Sequence, residues 1–275
     1  MTGPESDATV PLREAVRDRL DRVTDPELDR SIVDLEYVDA IEIDGRLVAV
    51  EFTLPTAWCS PAFAWMMAVD ARDAVESLPS VEEAHITLRE HMHETEINRG
   101  VNERLPFDAA FPDADGDVAA VRAELDEKAR IARQYDAVET LLEAGLDADA
   151  IVDLRRRDLE GVAGVGDEEG TSPAREEGPD SRETVTVYAP DRSFAVSVPG
   201  EPIERYLRKA RETVVVSTAD DRLFRTPEGE PIDPDAFDLV HRRGRLAQVN
   251  MSSQGGICDG LREAREGRLE EPDDG

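Results

Sequence analysis

The stretch VDAIEIDGRLVAVEFTL, residues 38–54, constrains the fold of this chain more than any other. Val38, Ile41 and Ile43 precede Asp44-Gly45, and Leu47, Val48, Val50 and Phe52 follow it. Apolar side chains at strand spacing on both sides of an Asp-Gly pair predict two antiparallel strands joined by a tight turn. A lone hairpin is at best marginal in water, so its apolar face needs a cover from elsewhere in the chain.

The flanking segments supply it. Upstream, PLREAVRDRLDRV places Leu12, Val16, Leu20 and Val23 at helical spacing behind Pro11. Downstream, SPAFAWMMAVDARDAVESL predicts a helix with Ser60 at the N-cap and Pro61 at the first helical position. VEEAHITL then reads as a third strand. The order α-β-β-α-β predicts an α+β domain over residues 10–90, with helices on one face of a small mixed sheet. A helical extension over 91–160 follows, with a long amphipathic helix ended by Gly145 and a short one after Asp147. Residues 161–183 turn to Gly, Glu, Pro and Ser and predict a flexible linker. The alternation in TVTVYAP, SFAVSV and TVVVST, with the one helix PIERYLRKARE, predicts a small β-rich domain over 184–265.

Charge excludes some functions. The chain carries 63 acidic against 32 basic residues, a net charge of −31, and its only lysines are Lys128 and Lys209. The acids recur through every predicted helix and loop, so they form no acidic interaction tail. A carboxylate-rich, lysine-poor surface keeps a protein hydrated in concentrated salt, which implies a salt-loving, archaeal source without invoking any partner. Nucleic-acid binding is disfavoured, because phosphate contacts need clustered Lys or Arg. No run of about eighteen apolar residues predicts a membrane span. The start shows no secretory pattern, and Cys59 and Cys258 fall in different expected domains, so a reduced, cytoplasmic setting is expected.

Four places carry candidate chemistry. Cys59, in PTAWCSPAFAWMM, precedes a helix start, where the positive end of the helix dipole favours thiolate. The bland alternative is a small buried residue covered by Trp58. Asp25-Pro26-Glu27 sets two carboxylates around a proline, a ligand pair or an ordinary turn. His91 and His93, in HMHETE, face the same side if that stretch is extended, and can ligate zinc or iron or sit in a solvated loop. Cys258 follows Gly255-Gly256, expected as a turn, and reads as structural. Phosphate-cradling, dinucleotide-binding and serine-hydrolase motifs are absent.

In order and content, residues 12–88 resemble the iron–sulfur assembly domain shared by SufT-like and PaaD-like proteins and the cytosolic iron–sulfur targeting factors. The resemblance rests on VTDPELDRSIVDLEYV after the first helix, the hairpin, PTAWCSP, the next helix, and a strand closed by SLPSVEEAHITL. Asp25, Pro26, Glu27 and Cys59 fall on the family's motif residues, and Thr56 on its loop threonine, one position closer to the cysteine than is common.

That resemblance implies a maturation factor, not an enzyme, that assembles or delivers iron or an iron–sulfur cluster held transiently at Cys59. Its partners would be the assembly machinery and a client metalloprotein. EINRGVNERLPFDAAFP and the following helix resemble extensions of members that accompany multicomponent monooxygenases. On this reading Asp25 and Glu27 approach Cys59, and His91 and His93 add ligands. One cysteine cannot hold a cluster that takes four ligands, so a client or a homodimer completes the set. Two other readings stay open: a metal-free adaptor that docks a partner enzyme, and a mononuclear metal enzyme built on His91 and His93.

Overall fold

The computed structural model describes residues 12–114, 117–162, 184–190 and 192–270, with side chains to Ser253. Helix α1 (Arg13–Leu20) leads to two short strands, β1 (Thr24–Asp25) and β2 (Arg30–Ser31), paired as a small hairpin in place of the simple turn expected there. Next come β3 (Val38–Asp44), β4 (Leu47–Thr53), α2 (Pro61–Glu76) and β5 (Glu83–Arg89). β3 and β4 pair antiparallel with Asp44 opposite Leu47, and only Gly45 of the two turn residues takes a positive φ, +61°. β4 and β5 pair parallel through the α2 crossover, giving the mixed order β3-β4-β5. The α+β expectation therefore holds.

Burial alternates along β4 and β5. Val48, Val50 and Phe52 join Ala84, Ile86 and Leu88 beneath Val16, Leu20, Ala64, Met67, Ala71 and Val75 of the helices. Each such large apolar side chain contributes about 1.5–3 kcal/mol on burial. The period-2 pattern of the strands meets the 3.6-residue pattern of α1 and α2 in one core.

Helix α3 (Glu94–Asn102) covers the outer edge of β5 in an unusual way. The Asn98 amide accepts from Leu88 N at 2.8 Å and donates to Leu88 O at 2.9 Å. One turn on, Asn102 accepts from Ile86 N at 2.9 Å and donates to Ile86 O at 2.8 Å. Two side-chain amides thus stand where a fourth strand's backbone would be.

The short helix α4 (Phe107–Ala110) and the long α5 (Val118–Glu143) follow, then α6 (Ala148–Asp153), capped by Asp147, whose carboxylate accepts from Ala150 N. Gly145, at φ +93°, follows α5 as expected. Strands β6 (Leu159–Glu160), β7 (Thr184–Tyr188) and β8 (Ala195–Pro199) form a second, antiparallel sheet, and α7 (Gly200–Glu212) and α8 (Phe237–Glu270) complete the chain.

The chain divides into two compact units, one comprising residues up to Arg122 with those from Met251, the other Ala123–Asn250. In the second, Val185, Val187, Val198, Ile203, Leu207 and Phe224 share a core. Buried Lys209 there pairs with Asp126 at 3.0 Å and Glu212 at 2.7 Å.

Two expectations for the tail change. TVVVST is not a strand: Thr213 closes α7, Val214 turns left-handed at φ +58°, and the amides of Val215 and Val216 both donate to Ala210 O. The open carbonyls at the helix end need donors, and that need outweighs the β preference of three valines. α8 runs through Gly255-Gly256, where a turn was expected, so helices take more of the tail than strands do. Most of the expected linker, 163–183, and the Cys258 side chain lie outside the described residues.

Candidate functional site

Because β4 and β5 are parallel neighbours, with Thr53 opposite Arg89, the chain leaves both at the same end of the sheet. This brings the loop after β4, which carries Cys59, beside the segment after β5, which carries His91 and His93. Glu90 adopts φ +54° and turns the chain directly after β5. Met92 N then donates to Ala57 O at 3.1 Å, and His91 Nε2 donates to the Cys59 carbonyl at 2.9 Å.

The cysteine loop is also tied within itself. Thr56 Oγ1 accepts from Trp58 N at 3.2 Å, and Thr56 O accepts from Cys59 N at 3.4 Å. Thr56 thus makes a side-chain and a backbone hydrogen bond within the cysteine loop. Cys59 is a half-buried thiol immediately before Ser60, the N-cap of α2, with Pro61 next as predicted. The Ser60 hydroxyl itself makes no cap bond. Trp58 is 74% exposed.

His91 is buried, and both its ring nitrogens are engaged. Nδ1 accepts from His93 N at 3.2 Å while Nε2 faces the Cys59 carbonyl, so the proton belongs on Nε2. Burial pushes the imidazole below its ordinary value of 6.5, and the neighbouring His93 acts in the same direction; the Cys59 carbonyl and Glu94 oppose them. His91 is thus a neutral clamp on the cysteine loop. The His93 ring lies 6.1 Å from that of His91 and meets Phe111 edge-on at 5.7 Å. Unlike that of His91, it holds no hydrogen bond among the described residues.

The Asp25 carboxylate is hydrogen-bonded at both oxygens. Its Oδ1 accepts from Glu27 N at 2.9 Å and Leu28 N at 3.2 Å, and its Oδ2 from the Tyr37 hydroxyl at 3.3 Å. Burial raises this carboxyl above 3.8; the two amides and Tyr37 pull it back, and the charge of Glu27 adds to the rise. Asp25 closes the β1–β2 hairpin loop and shares that turn with Glu27. Among the described residues, no three His, Cys, Asp or Glu side chains are grouped so as to hold a metal ion.

Comparison with known proteins places this arrangement. Residues 13–86 match the model of the iron–sulfur cluster assembly protein family. An uncharacterized protein of Methanocaldococcus jannaschii is 32% identical over 93 residues, 34% of this chain and 96% of that protein. Through residues 13–86 the chain belongs to the iron–sulfur cluster assembly protein family. No solved structure matches it significantly. The family match runs from α1 into β5, so it takes in Asp25, Glu27, Thr56 and Cys59 and ends before His91 and His93.

An open cleft of about 630 Å³ begins at Ser60, the residue after Cys59, and sequence reasoning did not find it. Its floor comes from Phe107 and Phe111, stacked at 4.8 Å and both meeting Trp65 edge-on. The spacing of the two phenylalanines in LPFDAAFP was the available signal. No helix among the described residues is long and apolar enough to cross a membrane.

Proposed function

We propose that this chain carries iron or a nascent iron–sulfur cluster on the Cys59 thiolate and passes it to a client metalloprotein in the cytoplasm of a salt-adapted cell. The observation that carries this reading is the placement of a half-buried thiol at the shared exit of β4 and β5, within the family match, on a loop clamped by His91. Transfer is an exchange of ligands: an iron–sulfur bond to Cys59 gives way to one from a client thiolate, with no net oxidation or reduction.

The roles divide among the candidate residues. Cys59 binds the cargo, His91 positions its loop, and the His93 ring stands ready as a second donor. Asp25 and Glu27 shape the β1–β2 turn, and Thr56 shapes the cysteine loop. Iron centres of this kind usually take four protein ligands, so the client, or a second copy of the chain, supplies the rest. A component of a multicomponent monooxygenase is the client class to test first.

The test is reconstitution with ferrous iron and sulfide under anaerobic conditions, followed by absorption and Mössbauer spectra and by activation of an apo-client. Wild type and Cys258→Ser should load and deliver; Cys59→Ala should do neither. Delivery by Cys59→Ala equal to wild type would sink the proposal. The metal-free adaptor is the alternative that the same variants test. It requires that Cys59→Ser be silent. A mononuclear metal enzyme on His91 and His93 would cost His91 the bond its Nδ1 accepts from His93 N, if that nitrogen took the metal.

A further inference from the structure

We propose that the cleft beginning at Ser60 docks a segment of the client protein that has an apolar or aromatic anchor flanked by arginine or lysine. The inference rests on the carrier reading only for its purpose, since docking is measurable without iron.

Three observations carry it. The floor is apolar and rigid: Phe107 and Phe111 stack on each other and are braced by Trp65, while Val118 and Val121 extend the greasy surface. Val121 is 36% exposed, so an apolar occupant gains by burying it. The rim is acidic: Glu96, Asp113 and Asp117 line the cleft beside His93, and among the described residues no Lys or Arg does. Finally, the first turn of α2 forms one wall, so an occupant lies one residue from Cys59.

Charge selects the occupant. A second copy of this chain carries −31 and meets the rim with like charge. The chain's own segment GDEEGTSPAREEGPDSRE is acidic as well. A basic, apolar-centred segment of another protein satisfies rim and floor together, because opposite charges steer and orient an encounter whose affinity comes from the buried anchor. Seated there, the client presents its cysteines to the thiol that carries the cargo.

The probe is a fluorescein-labelled twelve-residue peptide with a central Leu-Phe pair between arginines, compared with a twin carrying glutamate in place of arginine. Anisotropy titrations of the full chain use 1 M KCl, where the Debye length is about 3 Å and only contact pairs survive. The arginine peptide should bind at least tenfold more tightly than its twin. Glu96→Lys combined with Asp113→Lys, the first half-buried and the second exposed, should weaken it at least tenfold. Cys59→Ala should stay within twofold of wild type.

Equal affinity for the two peptides, indifference to the rim variant, or self-association abolished by that variant would each overturn the proposal. Peptide docking without iron loading leaves this inference standing and removes the carrier reading; iron loading without docking does the reverse.

Discussion

Replacing His91 with alanine tests whether the clamp holds the cysteine loop. The substitution removes the donor to the Cys59 carbonyl and the acceptor for His93 N, at 2.9 Å and 3.2 Å. Each bond contributes about 0.5–1.5 kcal/mol net, and a partner left buried without a replacement costs about 1–3 kcal/mol. Water reaches the half-buried Cys59 side more easily than the site of the imidazole, so the expected loss is about 2–4 kcal/mol. Domains are commonly stable by about 5–15 kcal/mol, so the variant should still fold.

Both tryptophans, Trp58 and Trp65, lie in the first unit, so fluorescence during urea unfolding reports that unit alone. A pH dependence distinguishes the clamp from generic packing. The folded state holds His91 neutral, while the unfolded chain takes up its proton near 6.5. The unfolded state therefore binds more protons as pH falls from 6.5 toward the lower folded value, and the stability from this group is lost over that window. Above it, the contribution is complete. His91→Ala should lack this part of the acid sensitivity. A variant with wild-type unfolding midpoint at pH 7 and an unchanged slope down to pH 5 would refute the clamp.

Asp25→Asn keeps an acceptor for the amides of Glu27 and Leu28 and removes a buried charge. Because the folded carboxyl is raised above 3.8, its stability contribution falls as pH climbs through that window, so the amide should match or exceed wild type at pH 7 in urea unfolding. Asp25→Ala should lose about 1–3 kcal/mol by leaving those amides unpaired. Gly100→Ala places a Cβ 2.6 Å and 2.7 Å from Trp65 ring atoms and 2.9 Å from Ala110 Cβ. It should cost about 1–3 kcal/mol through overpacking, less up to about 1 kcal/mol of helix propensity, with an altered Trp65 emission. With a net charge of −31, the protein should melt at higher temperature as KCl is raised from 0.1 M to 3 M; a flat or falling melting temperature would remove the salt-adapted reading.

The hairpin, the α2 crossover and the mixed sheet were legible because each rests on local periodicity and one turn residue. The meeting of Cys59 with His91 follows once β4 and β5 are parallel, yet it joins residues 32 positions apart that no local pattern links. Asp25 shows the opposite limit. Its residue type fits both a ligand and a turn cap, and the amides it faces come into view only in the folded chain. TVVVST misleads because helix-end carbonyls compete for the same backbone that three valines would extend. The Asn98 and Asn102 pair, one helical turn apart, went unread because asparagine spacing signals nothing until a strand edge lies alongside.

That pair has a consequence for how copies of this protein can join. With the outer rim of β5 already satisfied by side-chain amides, no neighbour can continue the sheet there by adding a strand. Growth is left to the β3 rim, where Asp39, Glu42 and Asp44 of one copy would confront those of another. One side is filled and the other is charged against itself. A chain that keeps a thiol loop accessible to other proteins is in this way held back from joining its copies edge to edge through the sheet that carries that loop.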